Sequence, residues 1–250
     1  MKIAVCLKRV PDTELRFAVA GDGASLDPSG LKYEISTFDE YAVEAALRLN
    51  EAHGGGEVTV IGLGPDGVPE MLRKALSMGA DRAVHLSAPD APYDSLAVAT
   101  ALAAELKDQG HDLVLFGRNA TDTGSGAAGA MTAELLGLPC VTAVAHLEVA
   151  DGKGTARREL EGATETVTFP LPAVLTIDEG LGRPRIPALK GIMAAKRKPM
   201  ETRPAALGTV TVTVAALQPP PTRPPGRIVG EGPDAVPELV RLLHEEAKVI

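Results

Sequence analysis

Residues Leu113–Leu136 read LVLFGRNATDTGSGAAGAMTAELL. Leu113–Phe116 is a short continuous apolar run, the pattern of a buried strand. Gly117 ends that run, and Arg118, Asn119, Ala120, Thr121, Asp122 and Thr123 make a polar loop. Gly124, Ser125, Gly126, Ala127, Ala128 and Gly129 then carry almost no side chain where a helix running to Leu136 should begin. A helix start presents unpaired backbone N–H groups and the positive end of the helix dipole, so it attracts anions. Small residues there allow a phosphate to approach the backbone. Two readings fit the stretch: a nucleotide phosphate seat, or an ordinary strand-to-helix turn whose small-residue helix packs tightly on a sheet. The spacing is neither that of the P-loop nor that of G-x-G-x-x-G.

Upstream, strand and helix patterns alternate in the same way. Lys2–Leu7 reads as a buried strand, closed by Lys8-Arg9-Val10-Pro11-Asp12. Residues 13–37 are Gly-rich and polar, with weak alternation at Leu15–Val19 and Lys32–Ile35 that suggests a small hairpin. Asp39–Ala52 turns helical, with Tyr41, Ala42, Ala45, Ala46 and Leu49 on one face and Gly54-Gly55-Gly56 as its stop. Val58–Leu63 is a second core strand, a helix over Val68–Met78 ends at Gly79, and Arg82–Leu86 is a third strand. Leu96, Ala99, Ala103 and Leu106 mark another amphipathic helix before Gly110. This rhythm predicts an α/β fold, a parallel sheet with helices on both faces. Ligands of such sheets lie beyond the carboxyl ends of the strands, here Leu7–Val10, Leu63–Gly67, Leu86–Pro89 and Gly117–Thr123.

Downstream of Pro139 the rhythm changes. Val141–Val149, Thr155–Leu160, Glu165–Phe169 and Ala173–Ile177 read as consecutive strands with turns at Asp151-Gly152 and Glu161-Gly162, an antiparallel addition to the sheet. A short helix over Ala188–Ala195 leads into Lys196-Arg197-Lys198-Pro199, and Val210–Leu217 reads as one more strand. Gln218–Arg227 holds five prolines and cannot join a sheet interior. A helix from Asp234 to Lys248 follows, with Val236, Leu239, Val240 and Leu243 on one side. The expected division is an α/β domain over residues 1–217 and a Pro-rich arm with its helix over 218–250. The arm either packs on its own domain or embraces a partner subunit.

Hydrophobic content of 45% against 23% charged residues excludes a disordered chain. A net charge of −8 and 3% aromatics argue against nucleic-acid binding. Cys6 and Cys140 form no spaced pair and read as buried thiols of a reducing compartment. His53, His85, His111, His146 and His244 stand singly, so no metal site is expected. No apolar run nears the roughly 20 residues that span a bilayer. Lys2 is followed by only five apolar residues, which is not a signal peptide, and a cytoplasmic location is expected. Neither G-x-S-x-G nor H-E-x-x-H occurs, and no catalytic residue is expected. Arg158-Glu159 reads as a surface ion pair on a strand. Arg183, Arg185, Lys190, Lys196, Arg197 and Lys198 form a basic cluster, either a solvated face or a patch that steers an acidic protein partner. Leu189, Ile192 and Met193 beside it are either docking anchors or packing against the chain's own domain.

Five stretches together resemble one family. They are Val5-Cys6-Leu7-Lys8-Arg9-Val10, Phe38-Asp39-Glu40-Tyr41-Ala42-Val43-Glu44, the run Leu72–Arg82, the loop and helix Asp112–Ala133, and Leu171–Thr176 with Arg183-Pro184-Arg185 and Leu189–Lys196. Over nearly its full length the chain resembles the beta subunit of electron-transfer flavoproteins. The resemblance implies an adenine-nucleotide alpha-hydrolase-like fold and a heterodimer whose alpha subunit holds most of an FAD. It implies a structural AMP on this chain, with contacts from Cys6, from Ser36, Thr37, Phe38 and Asp39, from Leu63, and from Gly117 through Ala128. Arg158 and Glu159 would lie toward the flavin. Leu189 would anchor into dehydrogenases, notably acyl-CoA dehydrogenases of fatty acid oxidation, with a membrane quinone oxidoreductase as acceptor. The chain would be an electron-carrier subunit and not an enzyme. Thr123–Ala128 lacks the acidic and amide run of many members, which leaves backbone N–H groups as the phosphate donors, and Thr13 replaces an aromatic residue near the flavin. Members that split electron pairs hold a second FAD in place of AMP, and this loop fits that alternative also. Adenylating ATP pyrophosphatases share the architecture but need a Ser-Gly-Gly-type loop where this chain has Lys8-Arg9-Val10-Pro11.

Overall fold

In the computed structural model, which describes residues 1–222 and 225–250, the first strand is buried on both faces. Along this β1 (Lys2–Leu7), Ile3, Val5 and Leu7 enter one hydrophobic core and Ala4 and Cys6 another. A strand covered on both faces belongs at the centre of a sheet between two helical layers. The elements that follow are β2 (Arg9–Pro11), β3 (Tyr33–Ile35), α1 (Thr37–Ala52), β4 (Glu57–Gly64), α2 (Val68–Met78) and β5 (Arg82–Ser87). Next come α3 (Ser95–Leu106), β6 (Leu113–Gly117), α4 (Ala128–Leu136), β7 (Cys140–Ala150), β8 (Lys153–Leu160) and β9 (Ala163–Pro170). Then follow β10 (Ala173–Ile177), α5 (Leu189–Ala195), β11 (Met200–Pro204) and α6 (Val236–Glu245).

Nine strands form one sheet in the order β11-β5-β4-β1-β6-β10-β7-β8-β9, parallel from β11 to β7 and antiparallel from β7 to β9. Helices α1 and α2 cover one face, α3 and α4 the other. The chain steps from β1 to β4 and β5 on one side, then returns to place β6 on the other. The sheet's switch point therefore lies between the carboxyl ends of β1 and β6, as the strand–helix alternation requires of a ligand-binding α/β sheet. The chain forms two compact units, Met1–Leu217 and Gln218–Ile250. The second unit contains α6, preceded by a single 3-10 turn, with Arg241 bridging Glu238 and Glu245 along the helix.

Four expectations are corrected. Ala173–Ile177 is not part of an antiparallel meander: β10 inserts parallel between β6 and β7. Its five residues are all buried, so its side-chain pattern carries no information on pairing direction. Val210–Leu217 forms no strand. Its amides turn to α3 instead: Thr211 and Val212 donate to the Asp94 carboxylate, and Gly208 donates to the Ala97 carbonyl. The edge strand is β11, whose charges hide it in the sequence; Glu201 and Arg203 pair with Arg82 and Glu105 across the edge. Residues 13–37 contain β3, paired with β2, and an isolated bridge between Val19 and Leu26, while Leu15–Val19 is not a strand. Cys140 is exposed at the first residue of β7, whereas Cys6 is buried within β1. Among the described residues no helix is long and apolar enough to cross a membrane.

Candidate functional site

At the switch point a cleft open to solvent runs between the carboxyl ends of the strands and the starts of α3 and α4. Leu63, Ala91, Pro92, Val98, Leu102 and Phe116 make an apolar wall. Lys8, Asp39, Asn119, Thr123 and Ser125 supply polar groups, and Gly126, Ala127, Ala128 and Gly129 form a bare backbone floor.

That floor is the start of α4. Ala127 caps it without any side-chain hydrogen bond, so the first amides of the helix have no competing internal acceptor there. Gly126 adopts φ +59°, a left-handed conformation, and a Cβ on it would stand 3.1 Å from the Arg118 carbonyl oxygen. Gly129 allows α4 to sit on the sheet: a Cβ there would come within 2.8 Å of Thr176. Glycine at both positions therefore serves close approach, the property that the floor of an anion site and a tightly packed helix share.

Asp39 organises the opposite side. The Lys8 N–H donates to its Oδ2 at 2.7 Å and the Gly117 N–H to its Oδ1 at 3.0 Å. The carboxylate thus joins the ends of β1 and β6 to the first turn of α1. Burial pushes the Asp39 carboxyl up to about 7, although both N–H donors and the Lys8 charge pull it down. Burial also raises the Cys6 thiol, and the nearby Asp39 charge adds to it. Cys6 is therefore a neutral wall residue and not a nucleophile. The Lys8 ammonium reaches the Asp122 carboxylate at 2.8 Å, with the Asp122 Oδ1 also accepting from the Thr123 N–H at 2.7 Å. The Ser36 hydroxyl accepts the Thr121 N–H at 3.3 Å, which fastens the loop to the start of α1.

Of the expected nucleotide contacts, Cys6, Asp39, Leu63, Gly117, Asn119, Ala120, Thr123, Ser125, Gly126, Ala127 and Ala128 line the cleft. Ser36, Thr37, Phe38, Arg118, Thr121, Asp122 and Gly124 do not. Arg118 stacks 4.7 Å from the Phe38 ring centroid and pairs with Asp178 at 2.7 Å. Sequence reasoning did not assign Lys8, Ala91, Pro92, Tyr93, Ser95, Val98, Leu102, Phe116 or Gly129 to the site. The segment after β5 had been placed at a strand's carboxyl end, and that signal could have found Ala91–Tyr93. Val98 and Leu102 carry no such signal, because only the packing of α3 brings them there. Arg158 pairs across the hairpin with Glu165 at 2.8 Å and reaches Thr142, and Glu159 accepts from Thr164; neither lines the cleft. Leu189, Ile192 and Met193 are exposed on α5.

A mostly parallel open sheet with a walled cleft at its switch point places the protein in the class of open α/β domains. A family model described as the electron transfer flavoprotein domain matches residues 24–207. The chain is 36% identical to the electron transfer flavoprotein subunit beta of Bacillus subtilis (strain 168) over 262 aligned residues that cover all of both chains. It is 37% identical to the corresponding subunit of Syntrophomonas wolfei, over 94% of this chain and 92% of that one. A mitochondrial subunit beta from Oryza sativa subsp. indica is 37% identical over the full length of both. The chain belongs to the electron transfer flavoprotein beta-subunit family, a family of electron carriers.

Proposed function

We propose that this chain pairs with an alpha subunit to form a heterodimeric electron-transfer flavoprotein and holds AMP in the switch-point cleft as a structural ligand. The observation that carries the AMP assignment is the pairing of an apolar wall with an uncapped, side-chain-free helix start. Leu63, Val98, Leu102 and Phe116 suit the faces of an adenine ring, and the amides of residues 126–129 suit a phosphate. Lys8 adds a cation at the same mouth, and Asn119, Thr123 and Ser125 supply hydrogen bonds for a ribose. Asp39 ties the ends of β1 and β6 to the first turn of α1 and so fixes the backbone at the rim of the cleft.

FAD, held mainly by the alpha subunit, supplies the redox chemistry of such a carrier. Arg158 and Glu159, on the β8–β9 hairpin, are the residues of this chain proposed to face it. The exposed Leu189, Ile192 and Met193 are proposed to dock electron-donating dehydrogenases, including acyl-CoA dehydrogenases, with a membrane quinone oxidoreductase as the acceptor. The function is that of a carrier subunit working in the cytoplasm, without bond-making chemistry of its own.

The test is the nucleotide released when the purified complex is denatured. One equivalent of AMP per heterodimer is expected. A second FAD in its place would support the electron-splitting alternative, to which the bare floor also lends itself. Recovery of neither nucleotide would overturn the assignment of the cleft.

A further inference from the structure

The segment from Asp178 to Lys198 carries large apolar side chains on its outside. Ile186 is 92% exposed, Leu189 74% and Met193 64%. A short segment with that much bare apolar surface has little burial of its own to hold it in one conformation. Here polar fastenings hold both of its ends.

At the first end, Arg185 Nε and Nη2 donate to the Glu44 carboxylate at 2.8 and 3.2 Å, and the Arg185 backbone N–H donates to it at 3.1 Å. The same guanidinium reaches Glu51 at 2.6 and 3.2 Å. Both carboxylates belong to α1, and the Glu44 side chain is buried. Arg48 occupies Glu44 from its other side at 2.7 Å and lies against Gly182, which has φ +124° and has space for no Cβ. At the second end, the Lys198 ammonium donates to the carbonyls of Leu76, Gly79 and Ala80, capping the end of α2. Arg73, on α2, donates to the carbonyls of Ala195 and Lys198. Gly191 permits the close contact of α5 with α2, because a Cβ there would stand 2.5 Å from the Ser77 carbonyl.

No residue of these fastenings belongs to the apolar tip. An ion pair around a buried carboxylate contributes little net stability, and here it ties the start of the tip to α1. Around the tip, Arg183, Lys190, Lys196 and Arg197 form no ion pair among the described residues, on a chain of net charge −8. A partner that fits has an apolar pocket rimmed by carboxylates.

We propose that the Glu44–Arg185–Glu51 cluster and the Arg73–Lys198 cap act as a preorganising clamp, presenting Ile186, Leu189 and Met193 as a fixed apolar key to an acid-rimmed donor protein. The inference rests on the docking reading of α5 given above and adds positioning residues to it. A loop ordered before the encounter spares the complex the entropic cost of ordering it on binding.

The experiment uses the purified flavoprotein complex, with a reduced acyl-CoA dehydrogenase as the donor. Arg185→Gln should speed amide hydrogen exchange across residues 183–195. It should also raise KM for the donor about tenfold, equivalent to about 1.4 kcal/mol, with kcat and flavin content unchanged. Arg73→Gln, at the other end, should do the same. Leu189→Ala should raise KM without changing exchange. Should Arg185→Gln fold poorly, Glu51→Gln loosens the same cluster from its more exposed side and should shift both readouts in the same direction by a smaller factor. Unchanged exchange in the clamp variants overturns the proposal. So does faster exchange with unchanged KM when Leu189→Ala raises KM. If Leu189→Ala leaves KM unaltered, the docking reading itself has failed and the proposal falls with it, a failure visible in that variant alone.

Discussion

Asp39 accepts hydrogen bonds from residues 31 and 78 positions away, and so couples two strand ends to a helix start through one side chain. Its carboxyl, at 3.8 in the absence of such an environment, is raised to about 7. The folded state therefore holds a proton that the unfolded state releases, and stability falls as pH rises across that window. Asp39's contribution is present in full below about pH 4 and gone above about pH 7. Thermal denaturation of wild type and Asp39→Asn from pH 4 to 8 should show the wild type losing its relative advantage as pH rises through that interval, and the difference should level off above it. Gly126→Val places a β-branched side chain at φ +59° against a carbonyl oxygen. The strain is about 1–3 kcal/mol, enough to distort the loop, and AMP content and heterodimer yield should both fall. Chromatography of the released nucleotide checks it. The bareness of Thr123–Ala128 was legible in the sequence because it is a matter of composition. The role of Asp39 was only half legible: its place in the site followed from the family motif, but its two donors come from separate strands.

Among the elements, β7 shows how one strand can serve two kinds of pairing. Its first residues pair in parallel with β10 and its later ones antiparallel with β8, and the register shifts between Val144 and His146. A bulge of this kind bends the strand, which pairs with β10 along one edge and β8 along the other. Local periodicity marked the strand but could not mark the bend, which is why the expected meander absorbed β10. Farther along the hairpin, Phe169 packs over Gly154, directly opposite it, and a Cβ on Gly154 would collide with the ring. Phe169 is buried, so Phe169→Ala should cost about 3–5 kcal/mol, read as a lowered denaturation midpoint. The hairpin also carries Arg158 and Glu159, so the same variant should perturb the flavin's absorption spectrum if those residues face it. The basic cluster divides at this scale as well. Arg185 and Lys198 are fastened to α1 and α2, and only Arg183, Lys190, Lys196 and Arg197 remain for steering a partner. Residue type cannot separate these two groups, since the distinction depends on which helices the loop crosses.

For the molecule as a whole, Met1–Leu217 and Gln218–Ile250 are two compact units. In the second unit Leu239 and Val240 are exposed on α6. A chain ending at Leu217 should retain its far-UV circular dichroism and melt within a few degrees of the full chain. Its affinity for the alpha subunit should fall by about tenfold or more, measured by co-purification and titration. By itself the sequence determined the α/β alternation, the direction of the parallel strands and the family. Those properties rest on local periodicity, on strand direction in a βαβ chain and on motifs of contiguous residues. Tertiary structure alone decided that β10 enters the middle of the sheet and that α3 walls the cleft with Val98 and Leu102. It also decided that Arg185 meets Glu44 from 141 residues away. Each is a contact between segments distant in the chain, and such contacts depend on how whole layers pack, which no spacing of neighbouring residues records.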